Sequence, residues 1–206
     1  MDVNLLYIDT STKVCSVGIA VNGKQVALQE TGDGQYEHGE KITLLIQESL
    51  AEAKLKISDL HGVCVTSGPG SYTGLRIGAS TAKGLCYALD IPLIAIDALQ
   101  SLAVQALKKY PTKSICAMID ARRMEVFSAI YSPSMEVLKN ISADVLEDDS
   151  YLSFKELVLV GDGAEKTQEL FVNRDYTYDL SLKSSVVGLF ESGYDKFVRK
   201  DFEDVA

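Results

Sequence analysis

The stretch Thr66-Ser-Gly-Pro-Gly-Ser-Tyr-Thr-Gly-Leu-Arg-Ile-Gly78 decides the fold of this chain. It follows a short apolar run, Val63-Cys64-Val65, and it opens a helical pattern. A glycine-rich turn between a strand and a helix lets the backbone approach a ligand or a neighbouring helix closely, and it points amide groups at whatever lies over the helix start. The stretch therefore predicts either an active site or a packing device.

The composition is that of a globular protein without a basic face. The chain has 206 residues, 47 % of them apolar, and a formal net charge of −9. Because a free-standing nucleic-acid binder usually carries a basic patch, we expect any RNA to be held by another protein. Four cysteines without CxxC spacing lie in apolar segments, which predicts reduced core thiols and a cytoplasmic location. No apolar stretch approaches the ~20 residues of a membrane span, so no membrane partner is expected.

Two copies of one pattern of strands and helices follow each other along the chain. The first copy predicts three strands, a helix, a strand, a helix and a strand, at residues 5–9, 14–21, 25–29, 37–53, 63–66, 72–89 and 93–96. A helix at 99–108 leads away from it. Asn22-Gly23 is a strong two-residue hairpin signal, and the helical pieces between the later strands imply parallel crossovers.

The second copy is shorter and more degenerate. It predicts strands at 114–120, 125–131, 135–139 and 157–160, a short helix near Asp144, and a closing helix at 184–200. Its first strand ends Met-Ile-Asp120, as that of the first copy ends Tyr-Ile-Asp9. We therefore predict two domains, residues 1–110 and 111–206, with the two Ile-Asp strand ends facing a cleft between them.

Five motifs resemble one known family. They are Ile8-Asp-Thr-Ser-Thr12, His38 before the first helix, Ser67-Gly-Pro-Gly-Ser-Tyr-Thr-Gly-Leu-Arg-Ile-Gly78, Asp120-Ala-Arg122 and Gly161-Asp-Gly-Ala164. Together they are similar to the TsaB (YeaZ) family of the actin, sugar kinase and heat-shock ATPase superfamily, over nearly the whole chain. The resemblance implies an α/β, actin-like ATPase (ribonuclease H-like) fold, built from two duplicated βββαβα units with mixed sheets.

The resemblance also implies a function. It implies a bacterial, cytoplasmic, non-catalytic subunit for the synthesis of threonylcarbamoyladenosine, a modified adenosine beside the tRNA anticodon. The implied partners are a TsaD-like catalytic subunit, of which this chain would be an inactive paralogue, and a TsaE-like ATPase, with tRNA contacted only indirectly. Older descriptions label the group glycoproteases by inference from that relative. Family members usually continue beyond position 206, so we expect a further C-terminal segment.

The residues do not predict a metal site or a nucleophile. His38 and His61 form neither an HxxxH nor an HExxH pattern, so a metalloprotease is disfavoured. Ser71 and Thr73 lie at a helix start, where a hydroxyl ordinarily caps the helix. We therefore assign no catalytic residues and no metal ligands, and a protease is the least favoured hypothesis.

A nucleotide site in the cleft is the main alternative. The candidate residues are Asp9, Thr10, Ser11, Asp120, Gly161 and Gly163. Active members of the superfamily place an aspartate turn with glycine in each half, whereas here Arg122 and Arg123 would occupy the phosphate space of the second turn. We therefore expect no cofactor for the chain alone, and ATP or ADP with Mg²⁺ only as a ligand shared at the interface with a partner. The alternative function is a stand-alone ATPase or kinase that uses Asp9 and Asp120.

The helix that begins in the glycine-rich stretch carries two apolar stripes. Small residues recur every four positions along one stripe, which lets another helix approach closely, and a second stripe lies nearly opposite. Either this helix and the preceding one cover each other in a layered domain, or they dock a partner, as the resemblance favours, and form a homodimer when the chain is alone. The predicted partner interface is Leu44, Ala51, Tyr72, Gly74, Ile77, Gly78, Thr81 and Ala82.

Overall fold

The order of elements repeats along the chain. The computed structural model describes residues 2–31 and 38–205. Its strands are β1 Asn4–Asp9, β2 Ser16–Val21, β3 Lys24–Glu30, β4 Gly62–Gly68, β5 Leu93–Asp97, β6 Ile115–Asp120, β7 Glu125–Tyr131, β8 Val137–Val145, β9 Val158–Val160 and β10 Thr177–Asp179. Its helices are α1 His38–Ala53, α2 Tyr72–Leu89, α3 Ala98–Lys109 and α4 Phe190–Arg199. The predicted start of α1 at Glu37 lies outside the described residues. None of the helices in the described part of the chain has the length and apolar character of a membrane span.

A mixed sheet in the order β3-β2-β1-β4-β5 forms the centre of the first unit, which comprises Met1–Ala98 and Ser184–Ala206. β1 is antiparallel to β2 and parallel to β4. Because side chains alternate along a strand, Leu6 and Ile8 pack under α1 and α2, whereas Leu5 and Tyr7 pack on the opposite face with α4. Burial of both faces explains why β1 is apolar without interruption.

Helix α4 returns to the first unit from the far end of the chain. The Tyr7 hydroxyl donates to the backbone carbonyl of Phe190 at 2.9 Å, and the two rings pack edge to face with centroids 4.9 Å apart. A β-carbon at Gly193 would lie 2.6 Å from the Tyr7 ring, so α4 rests directly on the sheet. The predicted boundary between residues 110 and 111 therefore differs from the observed division, in which the second unit is Leu99–Lys183.

The second unit repeats the topology of the first. Its strands lie in the order β10-β9-β6-β7-β8. Its first strand, β6, is antiparallel to β7 and parallel to β9, just as β1 pairs with β2 and β4. The predicted α/β fold with two duplicated units and mixed sheets is thereby confirmed.

The predicted elements differ from the structure in three places of the later chain. Asp144, where a short helix is predicted, lies in β8. Its carboxylate accepts hydrogen bonds at 2.6 Å from the hydroxyls of Ser128 in β7 and Tyr151, which hold the segment extended. The predicted closing helix is a 3-10 turn at Val186–Gly188 followed by α4, and β10 has no counterpart in the prediction.

Lys109, at the end of α3, joins β10 through Asp179. Its ammonium lies 2.6 Å from the Asp179 carboxylate, which also accepts from the hydroxyls of Tyr110 at 3.1 Å and Ser181 at 2.5 Å. Burial alone would raise the pKa of Asp179, but the hydrogen bonds from Lys109, Ser181 and Tyr110 outweigh it and lower that pKa to about 2. This ion pair therefore fixes α3 to the second sheet.

All four cysteines are buried thiols without a disulfide: Cys15, Cys64, Cys86 and Cys116. Burial raises the pKa of each thiol, to about 12 at Cys15 and to about 11 at Cys86. The thiolate is the reactive form, so these cysteines are inert core residues. The prediction of reduced core thiols is confirmed.

Candidate functional site

The glycine-rich turn joins β4 to α2 and packs against the loop that follows β1. The Ser71 hydroxyl accepts a hydrogen bond from the Gly74 N–H at 3.3 Å, and the Ser71 N–H donates to the Ser11 carbonyl at 2.7 Å. Gly68 and Gly70 have φ of 111° and 153°, which side-chain-bearing residues rarely adopt. Ser71 is therefore a helix cap, as predicted, and the turn requires its glycines.

At three glycine positions of this stretch, the loop after β1 packs so closely that it leaves no room for a side chain. A β-carbon at Gly70 would lie 2.1 Å from the Ser11 carbonyl oxygen. One at Gly74 would lie 2.2 Å from the Thr10 carbonyl oxygen, and one at Gly78 would lie 2.3 Å from the Thr10 hydroxyl. At these positions the stretch is a packing device for its own chain, because close-packed interiors leave no room for an added methyl group.

This packing corrects part of the predicted partner interface. Gly74, Gly78 and Ala82 are buried, and Ala82 belongs to the core between α2 and the first sheet. Their four-residue spacing does place them on one face of the helix, but that face lies on the chain's own sheet and loop. In this conformation the three residues are therefore buried by their own chain and belong to its packing rather than to its exposed surface.

The other side of α2 is exposed and carries aromatic side chains. Tyr72 and Tyr87 are 69 % and 82 % exposed, and the Arg76 guanidinium stacks 4.0 Å from the centre of the Tyr72 ring. A shallow groove along the helix is lined by Tyr72, Thr73, Arg76, Ile77, Ser80 and Thr81. Arg76 and Tyr87 lie on this exposed side of α2, but the sequence prediction did not include them in the interface.

Gly84 lies on this exposed side of α2. No described atom outside its own helix backbone and adjacent residues lies within 4 Å of the position that its β-carbon would take. The fold therefore does not require a glycine there, although glycine inside a helix costs roughly 1 kcal/mol relative to alanine. Gly84 was not among the predicted interface residues, but the sequence does indicate it, because Gly84 belongs to the second stripe of α2.

Helix α1 packs beside α2 and extends the exposed surface. Leu44, which is 46 % exposed, and Ala51 lie away from the side of α1 that packs on the sheet. Of the predicted α2 residues, Tyr72 is exposed and Ile77 and Thr81 are half-buried. We call the following set the α1–α2 face: Leu44, Ala51, Tyr72, Arg76, Ile77, Ser80, Thr81, Gly84 and Tyr87.

Asp9 ends β1 in a closed network. Its side chain is buried, and Oδ1 accepts hydrogen bonds from the Ser11 N–H at 2.9 Å, the Ser11 hydroxyl at 2.6 Å and the Thr66 hydroxyl at 3.1 Å. Among the described residues, Oδ2 has no hydrogen-bond partner. Burial raises the pKa of the Asp9 carboxyl, and the hydrogen bonds oppose this only in part. Since Thr10 and Ser11 are also buried, none of the three nucleotide candidates of the first half is open to a ligand in this conformation.

Asp120 ends β6 on the surface and binds a cation of its own chain. Its Oδ1 accepts the Arg122 N–H at 2.8 Å and also contacts the ammonium of Lys166. Lys166 donates further to the backbone carbonyls of Arg123 at 2.7 Å and Glu125 at 2.9 Å. The turn thus forms around Lys166, which the sequence prediction did not include.

The glycine turn after β9 packs closely on β6. A β-carbon at Gly161 would lie 2.1 Å from the Met118 carbonyl oxygen, and one at Gly163 would lie 2.9 Å from the Ile119 carbonyl carbon. Both glycines are buried. Close packing within the second unit explains these glycines, so they give no support to the predicted nucleotide site.

The two histidines serve separate structural contacts. Nε2 of His38, a buried residue at the start of α1, lies 2.8 Å from the Thr12 carbonyl oxygen. Nδ1 of His61 accepts a hydrogen bond from the Asn4 N–H at 3.1 Å. Within residues 2–31 and 38–205, no group of three or more His, Cys, Asp or Glu side chains is arranged to hold a metal ion.

Comparison with known proteins identifies the family. A family model described as TsaD, tRNA N6-adenosine threonylcarbamoyltransferase, matches residues 33–206. The tRNA threonylcarbamoyladenosine biosynthesis protein TsaB of Buchnera aphidicola subsp. Schizaphis graminum is 34 % identical over 169 residues, which cover 79 % of this chain and 80 % of that protein. The chain belongs to the TsaB (YeaZ) family.

Other relatives agree with membership of the TsaB family. TsaB of Haemophilus influenzae is 36 % identical over 126 residues, and the match covers 61 % of this chain but only 52 % of that protein. YeaZ from Pseudomonas aeruginosa has the same fold, with a TM-score of 0.86, 24 % identity, and coverage of 98 % of this chain and 96 % of that one. Another structure from Pseudomonas aeruginosa, with a TM-score of 0.81, 22 % identity and coverage of 98 % and 95 %, is described as similar to peptidase YeaZ.

Proposed function

We propose that this chain is a cytoplasmic, non-catalytic subunit in the synthesis of threonylcarbamoyladenosine in tRNA, and that it binds a TsaD-type catalytic subunit through the α1–α2 face. The names of the TsaB relatives support the pathway. Alone, the chain uses the same face to form a homodimer. A TsaE-type ATPase is a second partner, and the tRNA is contacted only indirectly. Any ATP or ADP with Mg²⁺ is shared at the interface with a partner.

The observation that carries this proposal is the exposed Gly84 between two exposed tyrosines. Gly84 lowers the stability of α2, although packing within the chain leaves room for a side chain at this position. A glycine on a helix surface allows the backbone of a second helix to come close. Tyr72, Tyr87 and Arg76 are of the residue types that dominate binding energy in protein interfaces. The surface therefore has both a close-approach point and candidate anchors.

The state of the aspartates supports the absence of catalysis. Asp9 is buried with a raised pKa, and Asp120 is paired with Lys166. A metal-dependent phosphoryl transfer needs carboxylates that are ionised and open to the cation. In this conformation Asp9 is not open to a cation, and Oδ1 of Asp120 already contacts the ammonium of Lys166.

Titration calorimetry with a purified TsaD-type subunit tests the proposed interface. Leu44→Glu is expected to abolish binding, whereas Val198→Glu, a matched change at a 60 % exposed apolar residue of α4, is expected to leave it unchanged. Equal affinities of both variants and the wild-type chain would disprove the interface. Brisk ATP turnover by the isolated wild-type chain, lost in Asp9→Ala, would instead favour the stand-alone ATPase.

A further inference from the structure

Lys166 lies where three oxygens of one turn converge. Its ammonium contacts the Asp120 carboxylate and the carbonyls of Arg123 and Glu125, and its side chain is only 19 % exposed. Proteins bind Ca²⁺ with carboxylates and backbone carbonyls, and K⁺ with rings of carbonyls. The contacts of Lys166 therefore have the chemistry of a cation site.

The turn around this ammonium is strained. Arg122 and Arg123 have φ of 70° and 43°, in the left-handed region that residues with side chains rarely enter. The Glu125 N–H donates to the Arg122 carbonyl at 3.0 Å, which closes the turn. The Glu125 carbonyl also accepts the Ala121 N–H at 3.2 Å, and the Lys166 ammonium adds a positive charge beside these clustered oxygens. The ammonium of Lys166 therefore stabilises this arrangement.

At the equivalent strand end of the first unit, a different set of donors binds the aspartate. Asp9, like Asp120, accepts the N–H of the residue two positions later, at 2.9 Å and 2.8 Å respectively. There the carboxyl is buried and receives hydroxyl groups from Ser11 and Thr66. Among residues 2–31 and 38–205, the donors recorded for the Asp9 carboxyl are hydroxyl and N–H groups, whereas Asp120 contacts an ammonium.

We propose that Lys166 is a tethered cation, whose ammonium fills a site in the second unit that is suited to a monovalent cation of ammonium or potassium size. It holds the turn that presents Arg122 and Arg123. A divalent cation or a metal-bound nucleotide that binds Oδ1 of Asp120 competes with Lys166 for this oxygen. This inference goes beyond the proposed docking function and does not depend on it.

Cation rescue of Lys166→Ala tests the proposal in the full chain. The variant is expected to melt at a lower temperature than the wild type. Ammonium or potassium chloride should restore most of that loss, whereas tetramethylammonium chloride at equal ionic strength should not, because that ion is too large for the site. The double variant Lys166→Ala/Asp120→Asn should show no such recovery, since it lacks the anionic ligand.

Lys113→Ala provides the matched control. Lys113 also forms an ion pair in the second unit, with Glu156 at 2.6 Å, but both side chains are exposed. We expect a small change in its melting temperature and no preference among the chlorides. Equal recovery of Lys166→Ala in all three salts, or recovery in none, overturns the proposal. If Lys166→Ala does not fold in dilute buffer, its refolded fraction in each chloride gives the same decision.

Discussion

A β-carbon added to Gly78 would lie 2.3 Å from the Thr10 hydroxyl oxygen. Helix α2 therefore rests directly on the loop that follows the first strand. Thr10 is completely buried, and its hydroxyl has no hydrogen-bond partner among the described residues. The chain's own packing thus fixes the small residue at this position, whereas the exposed Gly84, only six residues later, has no such cause.

Gly78→Ala should destabilise the isolated chain. The added methyl group forces α2 away from Thr10, and overpacking of this kind costs about 1–3 kcal/mol, more than the helix gains from alanine. Urea denaturation followed by circular dichroism measures the change. An unchanged or higher free energy of unfolding would show that the loop yields easily.

Gly84→Ala should instead stabilise the isolated chain. Since its β-carbon enters open space, the free energy of unfolding should rise by up to about 1 kcal/mol, through higher helix propensity and a less flexible unfolded chain. Gly84→Leu should also fold, but it should weaken binding to a TsaD-type subunit by about tenfold or more, or about 1.4 kcal/mol. Full affinity in Gly84→Leu would remove Gly84 from the interface.

Asp9→Asn should change how stability depends on pH. Burial raises the folded-state pKa of Asp9 above its ordinary value, so the folded chain binds more protons than the unfolded chain between the two values. The wild-type chain therefore loses stability as pH rises through this window, and Asp9→Asn removes that loss. Denaturant titrations of both chains at several pH values should show the variant gaining relative to the wild type, and a difference independent of pH would contradict the assignment.

Asp179→Asn should change the stability of the chain at neutral pH but not at strongly acidic pH. The folded-state pKa of Asp179 is lowered to about 2, so its contribution is complete above the unfolded pKa and is lost as pH falls towards 2. We expect the variant to lose about 1–2 kcal/mol near neutral pH, at the low end because Lys109 is open to solvent. The two chains should converge in acid when thermal unfolding is compared across pH. A constant gap would indicate a role other than ion pairing.

Local signals explain how much of the fold the sequence could predict. The Asn22-Gly23 hairpin was predictable because both residues adopt positive φ, at 52° and 76°, as such a turn requires. The duplication was readable from the repeated Ile-Asp strand ends. The short strand β10 was not, because it has only three residues, it pairs with β9, and its Asp179 contacts Lys109, seventy residues earlier.

The candidate site was predictable only in part, for a similar reason. Helical spacing shows which residues share a face of α2, but it does not say which face lies on the chain's own core. That choice depends on the contacts of Gly74 and Gly78 with Thr10, which come from a distant loop. Lys166 was missed because its partner Asp120 lies forty-six residues earlier and no motif links them.

The return of α4 to the first unit has a consequence for synthesis on the ribosome. The sheet face around Tyr7 stays bare until Phe190 and its neighbours emerge, whereas the second unit is complete in sequence at Lys183. Domains generally fold as units while the chain is still growing. The inserted half can therefore reach its native state first, and the half that begins the chain finishes last, leaving an apolar surface for chaperones to shield in the interval.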